Sequence, residues 1–499
     1  MPVILGIDVG TQSLKAMLLD TEKGCLFSGG AGYDILIPQL GYSEQDPDEW
    51  WNALKRVLSE MRQTSPKAFD EIEVIGFSGQ MHGMVALDSG NKPVMPAIIW
   101  VDQRSKQQVE RINSSFDDEE LAELLHNRVF TGFGFPSLLW VKETRPDLYA
   151  RIKKICCPKD YIRLKLTGEE PGTDMSDASS MTGFDFKNRK WNYDLLEKFD
   201  LSRDLFPECH EAIETAGYIS ETASRETGLK KGTAVVYGSG DLAALCLGCG
   251  VYKEGIGALN IGTGANYTCF SKIDRYDKKL RIQEFCSATD KSYLLAGAIL
   301  SGGLSLSWLR KNIINVQSYS EMDSLASSVK PGSEGVIFLP YLGGERSPHM
   351  DYNATGLFFG LQHMHDKRHL CRAVMEGVTF ALKDTENLIK EIGIISQTVV
   401  ACGGGARSPL WLQMQADIFE KEVVVTETKE QASLGACIIA GIGAGIYSSA
   451  KEACEDLVRY KSERYEPNLK NIEIYRHRYE IYRSLYPKLK DIMELNSEN

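Results

Sequence analysis

Val3-Ile4-Leu5-Gly6-Ile7-Asp8-Val9-Gly10-Thr11 opens the chain, and a shorter echo, Leu259-Asn260-Ile261-Gly262-Thr263, opens its second half. The first is an apolar run with β-branched residues that ends on Gly-Thr, which reads as a buried strand entering a tight turn. Residues 14–20 form a second apolar strand, so the two make a hairpin at the start of a domain. Residues 258–264 read the same way. The aligned positions are few, but each copy stands at the head of one half. Two similar α/β halves are therefore expected, meeting between residues 237 and 253, with domains at 1–245 and 246–499. The length of 499 residues agrees, since one domain takes roughly 100–200.

Outward from these two strands the pattern alternates. Strands are expected at 73–77, 233–237 and 398–401. Helices are expected at 46–61, where Asp46 or Asp48 could cap, at 121–125, 137–143, 305–314, 370–389 and 409–419, from about Ser433, and along the charged stretch after Glu452. Only the tail after Leu495 reads as disordered.

Composition narrows the function. Hydrophobic residues make up 43% and charged residues 25%, as in globular chains. The net charge of −12 argues against nucleic acid or an anionic membrane as the main partner, because both need basic patches. A nucleotide stays open, since backbone N–H groups and a divalent cation can hold phosphates. The 12 cysteines read as reduced thiols, and Cys246–Cys249 lacks the second CxxC of a zinc site. No targeting segment precedes Ile7, and the apolar stretch 437–447 holds three glycines and is too short to span a bilayer. A cytoplasmic protein is expected.

Several stretches could carry chemistry. A Gly-Thr turn lets a phosphate approach the backbone and adds a hydroxyl donor; Asp8 beside the first turn could hold Mg²⁺, directly or through water. Gly403-Gly404-Gly405-Ala406-Arg407 lies between a strand and a helix, where three glycines suit a flat ligand such as adenine. Asp241 ends the stretch Gly238-Ser-Gly240; it could take a proton from an attacking hydroxyl or cap a helix. Gly238-x-Gly240-x-x-Ala243 also fits a loose dinucleotide fingerprint, but lacks its acidic partner about 20 residues on. Gln80-Met81-His82 and Trp100-Val-Asp102-Gln-Arg104 close strands where α/β proteins place ligands. His363, His365 and His369 read as a surface turn. No P-loop motif is present.

Together these segments resemble the FGGY carbohydrate kinases along almost the whole chain. Residues 7–15 look like that family's first phosphate motif, 356–376 match its C-terminal signature, and 403–407 are similar to its adenosine motif. Ser43-Glu-Gln-Asp46, Gly79-Gln-Met-His-Gly83, Pro158-Lys-Asp160-Tyr161 and residues 338–349 look most like the xylulokinases within it. The resemblance implies two actin-like, ribonuclease-H-like domains flanking an active-site cleft. It implies ATP-dependent phosphorylation of D-xylulose, with ATP as co-substrate and Mg²⁺ as cofactor. It implies roles for Asp241 as catalytic base and for Asp8 near the metal. Met81, His82, Trp100, Asp102 and Arg104 would line the sugar pocket, and Gly10, Thr11, Gly262, Thr263, Gly403, Gly404, Gly405 and Arg407 the ATP side. A homodimer is the assembly carried with this reading.

Two departures stand out. Leu242 follows Asp241 where xylulokinases usually have Asn, which leaves L-xylulose, ribulose, erythrulose and glycerol as rival sugars. Gly134 and Ser137 stand before Leu138-Leu-Trp140 where the family's N-terminal signature has other residues. From other classes, an actin- or Hsp70-like ATPase would hydrolyse ATP without sugar, and a dehydrogenase would use a dinucleotide.

Overall fold

The computed structural model describes residues 2–497. Strands β1 (Val3–Val9), β2 (Ser13–Asp20), β3 (Gly24–Gly32), β4 (Ile72–Gly79), β5 (Thr215–Tyr218) and β6 (Ala234–Val236) form one sheet in the order β5-β6-β4-β1-β2-β3, with Ser239–Gly240 added alongside β4. Strands β7 (Ile256–Ile261), β8 (Ala265–Ser271), β9 (Gln283–Cys286), β10 (Tyr293–Ile299), β11 (Thr398–Gly403) and β12 (Glu422–Val425) form the second, in the order β9-β10-β8-β7-β11-β12.

The two sheets repeat one plan. β1 pairs antiparallel with β2 and parallel with β4, and β7 pairs antiparallel with β8 and parallel with β11. The repeat suggested by Gly10-Thr11 and Gly262-Thr263 is thus a repeat of structure. It reaches further than the sequence shows, because Val9 pairs with Gly79 as Ile261 pairs with Gly403. The loop after Gly79 and the glycine loop after Gly403 are equivalent corners of the two halves.

Helices α1 (Pro47–Thr64), α2 (Gly134–Thr144), α3 (Pro158–Thr167), α4 (Met175–Ser180), α5 (Asp241–Gly248), α6 (Gly303–Trp308), α7 (Lys367–Glu391), α8 (Pro409–Phe419), α9 (Gln431–Gly443) and α10 (Leu469–Ser497) surround the sheets. Asp46 caps α1 by accepting from the Asp48 N–H, and its apolar stripe buries Trp50, Leu54, Val57, Leu58 and Met61. α5 and α9 lie between the two sheets, in one core that joins Ile4, Met17 and Val74 to Ala258, Phe270, Val400 and Val424. Glycine makes this sandwich possible: a Cβ on Gly6 or Gly76 would lie 2.3 or 2.1 Å from a backbone oxygen of α9.

Some expectations change. The helix expected at 305–314 is α6 followed by a π-helical turn, Leu309–Ile313. The charged C-terminal stretch is two helices, Ala450–Leu457 and α10, separated where Tyr460 and Tyr465 bridge to Thr426 and Val423 and where Pro467 interrupts the chain. Asn496 and Ser497 continue α10 rather than forming a tail; the last two residues lie outside the described ones. His369 is no surface residue: it is buried in the capping box of α7, 3.0 Å from Glu334. All twelve cysteines are unpaired. No described helix is long and apolar enough to cross a membrane.

Candidate active site

The open ends of β1, β4 and the Ser239–Gly240 strand bring two carboxylates together. Asp8, buried near the end of β1, accepts a hydrogen bond from the Ser78 hydroxyl at 2.7 Å. Burial raises its carboxyl above the usual range, against the pull of Ser78 and Lys15. Asp241 is the first residue of α5, and Gly240, not Asp241, occupies the cap position. The N-cap position is therefore not that of Asp241, whose carboxyl is drawn by the Leu242 N–H and its own in the first turn of α5. Burial first, and then the charge of Asp8, push its carboxyl up to about 7. A carboxylate titrating near neutrality and facing a second one is suited to accepting a proton. Only the ionised form accepts, so kcat/KM should rise tenfold per pH unit below about 7 and level above it. A pH–rate profile checks this, and a flat profile between pH 5 and 8 would oppose it.

The first Gly-Thr turn needs one correction. The Gly10 N–H closes the turn on Ser13 O at 3.1 Å and is not free for phosphate. No hydrogen bond within the described residues engages the N–H groups of Thr11 or Gln12, which are the donors this turn can offer outward. The Thr11 hydroxyl accepts from the Trp100 indole N–H at 2.9 Å, and its carbonyl from Gln45 at 2.7 Å, so the turn is braced from two sides. In the second turn, Gly262 O and Thr263 O accept from Gly303 and Leu304 N–H at the start of α6.

Met81 and His82 follow β4. The His82 Nδ1–H donates to Ser180 O at 2.7 Å, its ring stacks on Phe133 at 4.0 Å, and burial pushes its pKa down to about 4. It is a neutral imidazole at physiological pH, with Nε2 as an acceptor. Met81 packs with Leu242, Phe285 and Ala296, so the residue that departs from the xylulokinase pattern lies on the same apolar wall. Gly240 must be glycine here, because a Cβ would stand 2.5 Å from Met81 Cγ.

Asp102 and Arg104 form a buried ion pair. Asp102 accepts from the Ser43 and Arg104 N–H groups and from the Arg104 guanidinium at 2.7–3.0 Å. The guanidinium also meets Glu44 at 2.8 Å and lies over Tyr42 and Trp140. The pair thus braces the Tyr42–Glu44 segment through Nε and Nη2 of the guanidinium. Trp100 likewise has its indole N–H engaged by Thr11.

On the other side, a Cβ on Gly403 or Gly405 would meet Asn260 or Ile261 at 2.5–2.8 Å. Packing against β7 thus leaves no room for a side chain at these two positions; Gly403, Gly404 and Arg407 are exposed.

Sequence reasoning missed α4. Its Ser176 hydroxyl accepts from Gly240 N–H at 2.8 Å and donates to Asp174 at 2.5 Å, while Lys159, fully buried, meets Asp160, Asp174 and Asp177 at 2.7–3.0 Å. One short helix thus supports both Gly240 and His82. The density of Asp and Ser in Asp174-Met-Ser-Asp-Ala-Ser-Ser180 was the available signal.

The model of the FGGY family of carbohydrate kinases, N-terminal domain, matches residues 3–248, and that of its C-terminal domain matches 258–444. The chain is 35% identical to a xylulose kinase of Lactococcus lactis over 100% of both chains. It is 32% identical to a xylulose kinase of Bacillus subtilis, over 99% of this chain and 98% of the relative. A solved structure described as a xyloylose kinase from Brucella ovis superposes with a TM-score of 0.92 at 33% identity, covering 98% of this chain and 100% of that one. With both halves matched by the family's models and full-length relatives at 32–35% identity, the chain belongs to the FGGY family of carbohydrate kinases.

Proposed function

We propose that this sugar kinase transfers the γ-phosphoryl group of ATP to D-xylulose, with Asp241 as general base. The observation that carries the reading is Asp241, raised to about 7 beside Asp8 and next in sequence to the Leu242–Met81 wall. The names of the full-length relatives supply the sugar. In this reading Asp241 orients the terminal hydroxyl of the sugar and takes its proton as the oxygen attacks phosphorus. His82 accepts from another hydroxyl through Nε2. The Thr11, Gln12, Gly262 and Thr263 N–H groups face developing phosphate charge, and Gly404 and Arg407 border the adenosine. Domains 1–245 and 246–499 would close over both substrates and exclude water.

The donor set fits Mg²⁺: the charge of Asp8 raises the cost of ionising Asp241, and hard oxygen ligands suit that ion. Asp8 would hold it, directly or through water. When bound, Mg²⁺ supplies neutralisation of the nucleotide's phosphate charge. A homodimer and a cytoplasmic setting belong to the same reading.

ADP release from ATP and Mg²⁺ across pentuloses, tetruloses and polyols tests it. D-xylulose should give the highest kcat/KM. Turnover that no sugar raises above the ATP-only background would sink the kinase reading and favour a partner-coupled ATPase. Leu242→Asn restores an amide to the wall. It should raise kcat/KM for the preferred sugar about 2- to 10-fold, the worth of one hydrogen bond. An unchanged ranking of sugars would show that this wall does not read them.

A further inference from the structure

We propose that His126, Asp274 and Glu284 form a second divalent-cation site, separate from Asp8, that takes Zn²⁺ and joins the two halves of the chain. The inference goes beyond the kinase reading and does not need it.

His126 comes from the first half, where it ends the helix Asp118–Leu125 in a left-handed conformation. Asp274 and Glu284 come from the second half, Glu284 on the edge strand β9. The halves touch along this edge. The Asn127 side chain donates to Glu284 O and accepts from Glu284 N–H, both at 2.7 Å, and Ser179 Oγ accepts from Cys286 N–H at 3.0 Å. The His126 ring is held on both faces, by Phe186 at 4.6 Å and Tyr276 at 4.0 Å. That stacking fixes where Nδ1 points: Glu284 Oε2 lies 2.7 Å from it and Asp274 Oδ1 3.4 Å.

One imidazole nitrogen and two carboxylate oxygens, all within 4.8 Å of one another, converge on a point. The single proton of Nδ1 is engaged by Glu284, and the Asp274 carboxylate has no hydrogen bond among the described residues. No Lys or Arg among them pairs with either carboxylate; the nearby Arg275 turns its guanidinium to Ile392 O and Gly393 O. Glu119 and Glu123 lie close enough to Tyr276 to add to the negative field there. Buried negative charge needs a cation or a hydrogen bond beside it. The other such cluster, Cys157, Asp160 and Asp177, already holds one, because Lys159 lies 2.7 and 3.0 Å from its carboxylates.

The donor set selects the ion. Zn²⁺ accepts imidazole together with carboxylates, whereas Mg²⁺ and Ca²⁺ take oxygen alone. Bonds of about 2.0–2.2 Å to a tetrahedral Zn²⁺ place its ligand atoms about 3.3–3.6 Å apart. Nδ1 and Asp274 Oδ1 already have that spacing at 3.4 Å. Glu284 Oε2 would withdraw by about 0.6 Å from its present hydrogen bond to reach it. Three protein ligands leave the fourth position to water. The Asp274 side chain, 33% exposed, gives the ion its way in.

The test titrates Zn²⁺ by calorimetry into the full chain freed of metal with a chelator, without nucleotide or sugar. Wild type should bind one equivalent that excess Mg²⁺ does not displace. Asp274→Asn, a change at a partly exposed side chain, and His126→Gln should each weaken it by at least about 10-fold, the loss seen even when a group that only orients a ligand is removed. His363→Ala and Cys25→Ser, which remove exposed donors, and Asp8→Asn should leave it in place. Zn²⁺ should raise the Tm of wild type and not that of Asp274→Asn, because the ion binds only where the folded halves meet. The proposal is overturned if wild type binds no Zn²⁺, if Asp274→Asn binds it as wild type does, or if Tm follows pH but not Zn²⁺, as for a simple ion pair. None of these readouts uses turnover, so their failure leaves the kinase reading intact, and an inactive enzyme leaves this site standing.

Discussion

Asp241→Ala should lose sugar phosphorylation by about 10²- to 10⁴-fold in kcat, the contribution of a positioned general base, while KM for ATP stays near wild type. The carboxylate stands at the first position of α5, on a cleft also bordered by Met81 and Leu242. No other described carboxylate except Asp8 takes part in its titration. Asp8 is tied to the neighbouring strand, where its Oδ1 accepts from Ser78. The stability of the variant separates catalysis from folding. The folded-state pKa of Asp241 is raised above its ordinary value. Its contribution to stability is therefore fully present at low pH, below the unfolded pKa, and is lost as pH rises through about 7. Asp241→Asn, which keeps the shape, should be at least as stable as wild type near pH 4 and more stable above pH 7, while equally inactive. Thermal unfolding at the two pH values, read beside kcat, checks this. A variant that turns over at the wild-type rate would remove Asp241 from the base role; one that is less stable at high pH would show that its burial is compensated by an unseen partner.

The parts of this molecule that were legible in the sequence are those fixed by local pattern. The hairpins after Gly10 and Gly262 follow from apolar runs broken by Gly-Thr, and α8 follows from Ser408 and Pro409 at its start. Asp8 and Asp241 stand out as carboxylates at strand ends, but for Asp241 the residues alone left a helix cap open beside a base, and the family resemblance supplied the choice. What stayed hidden depends on residues far apart in sequence. Spacing does not show that Glu44 and Ser43 also engage Arg104 and Asp102. That Gly403 and Gly405 also pack against β7 is invisible locally, because Asn260 and Ile261 are some 140 residues away. The family resemblance named the site, but not which of its groups were already satisfied.

Gly435→Ala should be among the most damaging single-methyl changes in the protein, although Gly435 touches no substrate. A Cβ there would lie 1.8 Å from Ala244 O, 2.5 Å from Ala244 C and 2.8 Å from Ala244 Cα. All three atoms are backbone, so no rotamer change relieves the clash, and α5 and α9 must separate by more than an ångström. The intrinsic helix preference of Ala over Gly, about 1 kcal/mol, is outweighed by overpacking, which costs typically about 1–3 kcal/mol. The reciprocal contact fixes the crossing from the other side, since Gly248 would meet Gln431 O at 1.9 Å. Ala244 lies three residues beyond Asp241, in the helix that holds the base, while α9 also packs on β1, which holds Asp8. Separating the helices therefore moves the two carboxylates relative to one another, and a displacement of about 1 Å can lower a rate about 100-fold. The expected result is a lower Tm together with kcat reduced about 100-fold. Gly441→Ala, in the same helix, is the comparison: its Cβ would meet only the Tyr447 ring and Ile4 Cδ1, at 2.9–3.3 Å. Those side-chain ends can shift, so that variant should keep most of its rate. If Gly435→Ala and Gly441→Ala behave alike, the close crossing of α5 and α9 does not hold the two carboxylates in place.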